Sequence, residues 1–171
     1  MSIFKCVNPD YIKLAKQQIE EFRKTSKGKF KYSGVNSWRG IVAEFIVSDW
    51  LNTITNVDIH SKGVDTSGKY DDYDILVNNL KVEVKCATEY YHKFITPKVK
   101  LVTDKPKDIY IGCKYHSRSK SYDEVEIIGF TEVKFIKNCN ISQMHGAAYY
   151  EVPLSDLIPI EKLQPYLNSL R

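Results

Sequence analysis

The segment Asp71-Asp72-Tyr73-Asp74-Ile75-Leu76-Val77-Asn78-Asn79-Leu80-Lys81-Val82-Glu83-Val84-Lys85 constrains the fold of this chain most. Asparagine tolerates the left-handed backbone that both central residues of a tight hairpin turn require. With Asn78 and Asn79 at the turn, Val77 pairs with Leu80, and residue numbers in each cross-strand pair sum to 157. Asp74 then stands opposite Glu83, and Asp72 opposite Lys85. Strand side chains alternate between faces. Tyr73, Ile75 and Val77 share a core-like face with Leu80, Val82 and Val84. Asp72, Asp74 and Leu76 share the other face with Lys81, Glu83 and Lys85. A slip of one residue would bury the charges of one strand, so the pattern fixes the register.

Directly opposed residues lie about 5 Å apart at Cβ. Two carboxylates at that spacing repel each other unless a cation joins them. Mg²⁺ favours a site of one or two carboxylates completed by water and substrate phosphate. Lys85 points to the same side and can hold a phosphate or a nucleophilic water. On the face pattern alone, a hairpin with one solvated, charged face is at least as good a reading.

Around this hairpin the periodicity predicts an α+β or mixed α/β domain with one central sheet. An amphipathic helix is expected from Pro9 to Thr25, with Tyr11, Leu14, Ile19 and Phe22 on its apolar side. A second helix is expected from Val35 to Leu51. Strands are expected at Val57–His60, Tyr73–Val77, Leu80–Cys86, Ile109–Tyr115, Glu124–Lys134 and Ala147–Val152. Residues Ser155 to Leu170 read as one or two short helices interrupted by Pro159 and Pro165. The 171 residues suggest a single domain. Within it, residues 1–31 form a basic N-terminal helical region, 35–115 the core bearing the motif, and 122–171 further strands and a C-terminal helix.

Net charge is only +4, but it is segregated. His92 to Ser121 carries eight Lys/Arg against two Asp, and Met1 to Lys31 eight against three acids. Such segregation suits a polyanion, and it also describes a protein kept soluble by surface lysines. Lys93, Lys114, Arg118 and Lys120 are the candidate nucleic-acid contacts. Tyr90, Tyr91 and Lys93 mix aromatic and basic groups as nucleic-acid surfaces do, although core packing would explain one of the tyrosines equally well. Trp38 and Trp50 are better explained as core. Cys6, Cys86, Cys113 and Cys139 have no metal-ligand spacing and read as free thiols. No apolar run is long enough to span a bilayer, and Met1 to Asp10 lacks a signal-peptide core. The expectation is an intracellular, cytoplasmic protein without a membrane partner.

The run Asp74-(eight residues)-Glu83-Val84-Lys85 resembles the PD-(D/E)xK nuclease superfamily, which includes many restriction enzymes, Holliday-junction resolvases and repair or phage nucleases. In that family the Asp lies on one strand of a hairpin and E-x-K on the next, and a preceding helix often supplies another acid. Glu44 fits that role by order. The resemblance implies a restriction-endonuclease-like core, a central mixed sheet flanked by helices. It implies a DNA endonuclease in which Asp74 and Glu83 bind Mg²⁺ (or Mn²⁺), assisted by the Val84 carbonyl. Lys85 would orient and help deprotonate the attacking water. The chain departs from the pattern in having Tyr73, not proline, before the Asp. Pro97 and Pro106 also crowd the helix expected after E-x-K, so either a short helix near Glu89 to Phe94 or an insertion is expected there.

Spacing alone proves little. Asp123-(eight residues)-Glu132-Val133-Lys134 has the same spacing, but Ile127-Ile128 is a poor turn pair and no helix with an inward acid precedes it. An ordinary strand with solvated charges is expected there. Two rivals to the nuclease reading stay open. One is a non-catalytic nucleic-acid-binding module on the same fold, and the other an unrelated α+β protein with a chance motif. Cutting both strands of a duplex or junction is simplest with two copies, so a homodimer is expected. Ile127, Ile128, Phe130, Tyr149 and Tyr150 serve either as its interface or as extra core.

Overall fold

The computed structural model describes residues 1–24, 34–55, 60–61, 73–117 and 122–170. Strand β1 (Ile3–Cys6) leads into helix α1 (Pro9–Arg23) and helix α2 (Trp38–Ile54). Strands β2 (His60–Ser61), β3 (Ile75–Val77), β4 (Leu80–Ala87) and β5 (Phe94–Ile95) follow. Helix α3 (Val99–Asp104) precedes β6 (Ile109–His116) and β7 (Glu124–Glu132). The chain ends with α4 (Val133–Ile136), β8 (Asn140–Met144), β9 (Ala147–Pro153), β10 (Ile158–Pro159) and α5 (Leu163–Ser169).

The central sheet runs β1-β7-β6-β4-β3-β2, with β10 added beside β7. It is mixed: β4 and β6 are parallel, and its other pairings are antiparallel. Alternation along β4 and β6 separates two cores. Val82, Val84, Ile109 and Ile111 pack with Ala15 and Ile19 of α1, with α2, and with Leu163 and Leu167 of α5. Ala87 and Tyr110 face the other way and pack with Ile95, Val102, Ile136 and Val152. That second layer is a small sheet in the order β5-β9-β8, together with α3 and α4.

Helix α2 is apolar nearly all round, as a helix covered on two sides must be. Its Ile41, Val42, Ala43, Val47 and Leu51 are buried between α1 and the sheet. The Asn8 side chain caps α1 by accepting the Asp10 N–H at 2.9 Å. Ile19 and Phe22 of α1 are buried as expected, whereas Leu14 faces solvent and Ala15 takes the core position.

Several elements differ from expectation. Residues 57–59 of one expected strand lie outside the described residues, and its end, His60, pairs with Leu76. Glu89 to Phe94 is a turn leading into β5, and the helix lies instead at Val99–Asp104. Pro97 and Pro106 bracket that helix: Lys98 is extended, as a residue after the turn and before a helix start can be, and Pro106 follows the cap. Pro165 sits in the first turn of α5, where its missing N–H costs no helical bond. Of the late apolar residues, Ile127, Phe130 and Tyr150 are buried as core, and Ile128 and Tyr149 are half-buried. Among the described residues, no helix is long and apolar enough to cross a membrane.

Candidate functional site

Asn78 (φ 49°) and Asn79 (φ 66°) both adopt the left-handed conformation, and the pairs are Val77–Leu80, Leu76–Lys81 and Ile75–Val82. The hairpin has the register that the sequence dictates. Ile75, Val77, Val82 and Val84 are buried on the α2 side. On the charged face Lys81 is exposed, whereas the Glu83 side chain is 14% exposed and that of Lys85 32% exposed.

The ladder ends at Ile75–Val82. One residue earlier, Asp74 N–H donates to Val82 O at 3.1 Å, out of register by one. The Asp74 carboxylate turns inward, and its Oδ2 accepts the Val84 N–H at 2.7 Å. A side-chain oxygen thus replaces the strand carbonyl that would have continued the sheet. The N–H and C=O of one strand residue point to the same edge. The Val84 carbonyl therefore also faces the edge where β3 leaves β4.

Lys85 Nζ lies 2.5 Å from Glu83 Oε1. Burial works against the Lys85 charge, but the carboxylates of Glu83, then Asp74, and last Glu44 outweigh it and raise its pKa above the ordinary lysine value. The four residues singled out by the motif thus share one electrostatic neighbourhood. Glu44 reaches it from α2, which is pinned to the end of β4 at its N-terminus. There Arg39 Nη1 donates to Thr88 O at 2.6 Å and to Glu89 Oε1 at 3.2 Å, and Asn36 Nδ2 to the same Glu89 oxygen at 2.5 Å.

Sequence reasoning missed Lys107, counted there as one more surface charge. It is 5% exposed. Its Nζ donates to Lys105 O at 2.9 Å and lies 3.9 Å from Glu83 Oε2. Glu83 therefore stands between two lysines. Only its position just before an aromatic strand, beneath α3, marks it, and that is a tertiary feature. Of the candidate nucleic-acid contacts, Lys93 is exposed and Lys114 is half-buried opposite Glu126. Arg118 and Lys120 lie outside the described residues, as does Asp72.

The decoy resolves cleanly. Strand β7 runs unbroken for nine residues, so Asp123 and Glu132 sit at its opposite ends, roughly 30 Å apart. Asp123 accepts the Tyr115 hydroxyl at 2.6 Å. Lys134, 79% exposed, pairs with Glu132 at 2.9 Å. Trp38 packs edge-on against Tyr115 and Trp50 is buried, both as core. All four cysteines are free. Burial pushes the Cys86 thiol up to about 12 and also raises that of its strand neighbour Cys113 well above the ordinary thiol value, so neither offers a thiolate nucleophile near neutral pH.

Among the described residues, no group of three or more His, Cys, Asp or Glu side chains is gathered as a metal cage. Asp74, Glu83 and the Val84 carbonyl offer only oxygen atoms, the donor type that Mg²⁺ or Mn²⁺ takes together with water and phosphate. A cavity of about 230 Å³ lies elsewhere, lined by Lys5, Tyr11, Asp49 and Trp50 among others, and includes none of these residues. No family model, curated protein or solved structure matches this chain.

Proposed function

We propose that this chain is a metal-dependent endonuclease that hydrolyses DNA phosphodiester bonds, working inside the cell. The observation that carries this reading is the half-buried Lys85 ammonium, held charged by Glu83, Asp74 and Glu44 at the point where β3 parts from β4. The order of elements adds support. A helix bearing an acid, a strand that starts just after the Asp, the E-x-K strand and a following helix are the order that the resemblance to PD-(D/E)xK nucleases leads one to expect.

In this reading Asp74, Glu83 and the Val84 carbonyl hold Mg²⁺. The ion would supply Lewis-acid stabilisation and a nucleophilic water at neutral pH. Before a metal binds, the carboxylates of Glu83, Asp74 and Glu44 favour the charged form of Lys85. Its contribution is to orient a phosphate oxygen and offset charge developing there. Glu44 adds negative potential that keeps Lys85 charged. Two copies would cut two strands, and light scattering with and without DNA tests that. A strict monomer making paired breaks would rule out the dimer.

The test is incubation with Mg²⁺ against plasmid, single-stranded DNA, junction DNA and RNA. Glu83→Ala and Lys85→Ala should each abolish cutting with the fold intact, and a fully active Lys85→Ala protein refutes the mechanism. One observation favours a second reading, a binding module without catalysis. Glu83 is already neutralised by Lys85 and Lys107 without a metal. Titration calorimetry with Mg²⁺ and Mn²⁺ decides: no metal-binding heat, with DNA binding retained, supports the module.

A further inference from the structure

The strand bearing Glu83 and Lys85 runs directly into a turn that holds two tyrosines in solvent. Tyr90 is 78% exposed and Tyr91 62%, the largest exposures of any aromatic residue among those described. Neither packs into the core. Their rings meet edge-on at 5.3 Å, and Tyr91 meets His92 at 4.7 Å. A solvated turn would normally use glycine, asparagine, aspartate or serine. Leaving large aromatic surface in water forgoes its burial, and such patches mark binding sites.

The turn is anchored at both ends. His92 N–H donates to Glu89 O at 3.1 Å, and Leu154 N–H to Lys93 O at 2.9 Å. Glu89 is held by Asn36 and Arg39. The tyrosines are thus presented from fixed backbone, which lowers the entropy lost when a ligand covers them. The acid next to them, Glu89, is paired with Arg39. From Tyr90 to Thr103 the chain carries Lys93, Lys98 and Lys100 and no acid, and all three lysines are exposed. Lysine is depleted from the cores of protein interfaces, whereas aromatic rings interleaved with basic groups suit a polyanion with exposed base faces.

We propose that the Tyr90–Tyr91 turn is a stacking platform for unpaired bases, so that the substrate is single-stranded or locally opened nucleic acid. This rests on the nuclease reading for its link to cutting. A closed duplex hides its base faces and gives these rings nothing to stack on. Tyr90 follows Lys85 by five residues, no more than roughly 17 Å along the chain, so one bound strand reaches both places. Lys93 and Lys98 would meet its phosphates.

The test uses the full chain in EDTA, where nothing is cut. Fluorescence anisotropy is measured with a labelled oligo-dT, the matching oligo-U and a blunt duplex. The expected result is tighter binding of the single strands, with Tyr90→Ala/Tyr91→Ala weakening it about tenfold or more and leaving duplex binding unchanged. Such a loss is the range that base–aromatic stacking supplies. Tyr91→Trp should retain affinity. Oligo-dT against oligo-U separates DNA from RNA. Unchanged single-strand binding by the double variant, equal losses on duplex, or no nucleic-acid binding at all overturns the platform. A parallel Mg²⁺ cleavage assay keeps the two ideas apart. Tyrosine-dependent binding without cutting upholds the platform against the nuclease, and cutting of duplex without tyrosine dependence does the reverse.

Discussion

The carboxylate of Asp74 accepts the backbone N–H of Val84 at 2.7 Å, in the place where a strand carbonyl would otherwise sit. One side chain thus ends the β3–β4 ladder and faces the edge that its departure opens. Its two roles separate by substitution. Asp74→Asn keeps an acceptor for Val84 but loses the charge. Asp74→Ala loses both and leaves a main-chain donor without that partner. A hydrogen bond to a charged group is worth about 1.5–3 kcal/mol, and partial exposure trims this. Urea unfolding should place Asp74→Ala roughly 1–2 kcal/mol below wild type, with Asp74→Asn between them. Both should be inactive in cutting. An Asp74→Ala protein as stable as wild type would mean that the bond to Val84 contributes nothing.

Lys85 gives a pH prediction. Its pKa in the folded protein lies above the ordinary lysine value, because the opposing effect of burial is outweighed by Glu83, Asp74 and Glu44. A group whose folded pKa is raised contributes stability that is complete below its unfolded pKa, about 10.4, and drains as pH climbs through the folded value. The wild type should therefore lose stability in that alkaline window more steeply than Lys85→Met. Below pH about 9 the difference between the two should be flat. The side chain is a third exposed, so solvent screening keeps the effect small. Parallel alkaline slopes for the two proteins would show that the acids around Lys85 do not hold its charge.

The hairpin was legible because it is local. Asn78-Asn79 chose the turn, and alternation on either side chose the faces, so Ile75, Val82 and Val84 went to the core without any knowledge of what covers them. The helix α2 was legible for the same reason, from a long apolar run. What the sequence hid was set by partners distant in the chain. Strand β1 is four residues of unremarkable pattern that exist as a strand because β7 offers an edge. Helix α3 is six residues long and its only buried side chain is Val102, which joins the second core. Lys107 looks like any basic loop residue until the fold places Glu83 beside it. Asp74 was assigned to the site, but its bond to Val84 was not foreseen, since it depends on the ladder breaking one residue early.

The paired thiols, Cys113 buried and Cys86 half-buried, make an independent test of the β4–β6 pairing. Cys86 and Cys113 are register partners on these strands. Burial raises both pKa values, to about 12 for Cys86 and well above the ordinary thiol value for Cys113. At pH 8 neither forms enough thiolate to react, whereas Cys6 is exposed. Titration with a chromogenic disulfide should show Cys6 reacting fast. Cys86 and Cys113 should react only as denaturant unfolds the protein. Mass spectrometry identifies the labelled peptides. Early labelling of Cys113 would contradict its position in the sheet.

Lys107 bears on how tightly the site holds a cation. Its ammonium, anchored on Lys105 O, stands 3.9 Å from Glu83 Oε2, while Lys85 occupies the other Glu83 oxygen at 2.5 Å. A fixed positive charge there repels any incoming divalent ion, and at that separation Coulomb energies near a protein surface reach a few kcal/mol before screening. Lys107→Met keeps the length and apolar stem of the side chain and removes only the charge. Replacing a buried ion-pair member by an apolar residue strands its partner's charge, but Glu83 retains Lys85. If Lys107 competes with the metal, the variant should bind Mg²⁺ or Mn²⁺ several-fold more tightly by calorimetry. The Mg²⁺ concentration for half-maximal cutting should fall in step. If Lys107 instead orients Glu83 for the metal, affinity should drop and Lys107→Arg should restore it in part. Weaker metal binding in Lys107→Met, with its melting temperature unchanged, would therefore sink competition and leave positioning as the role of this residue.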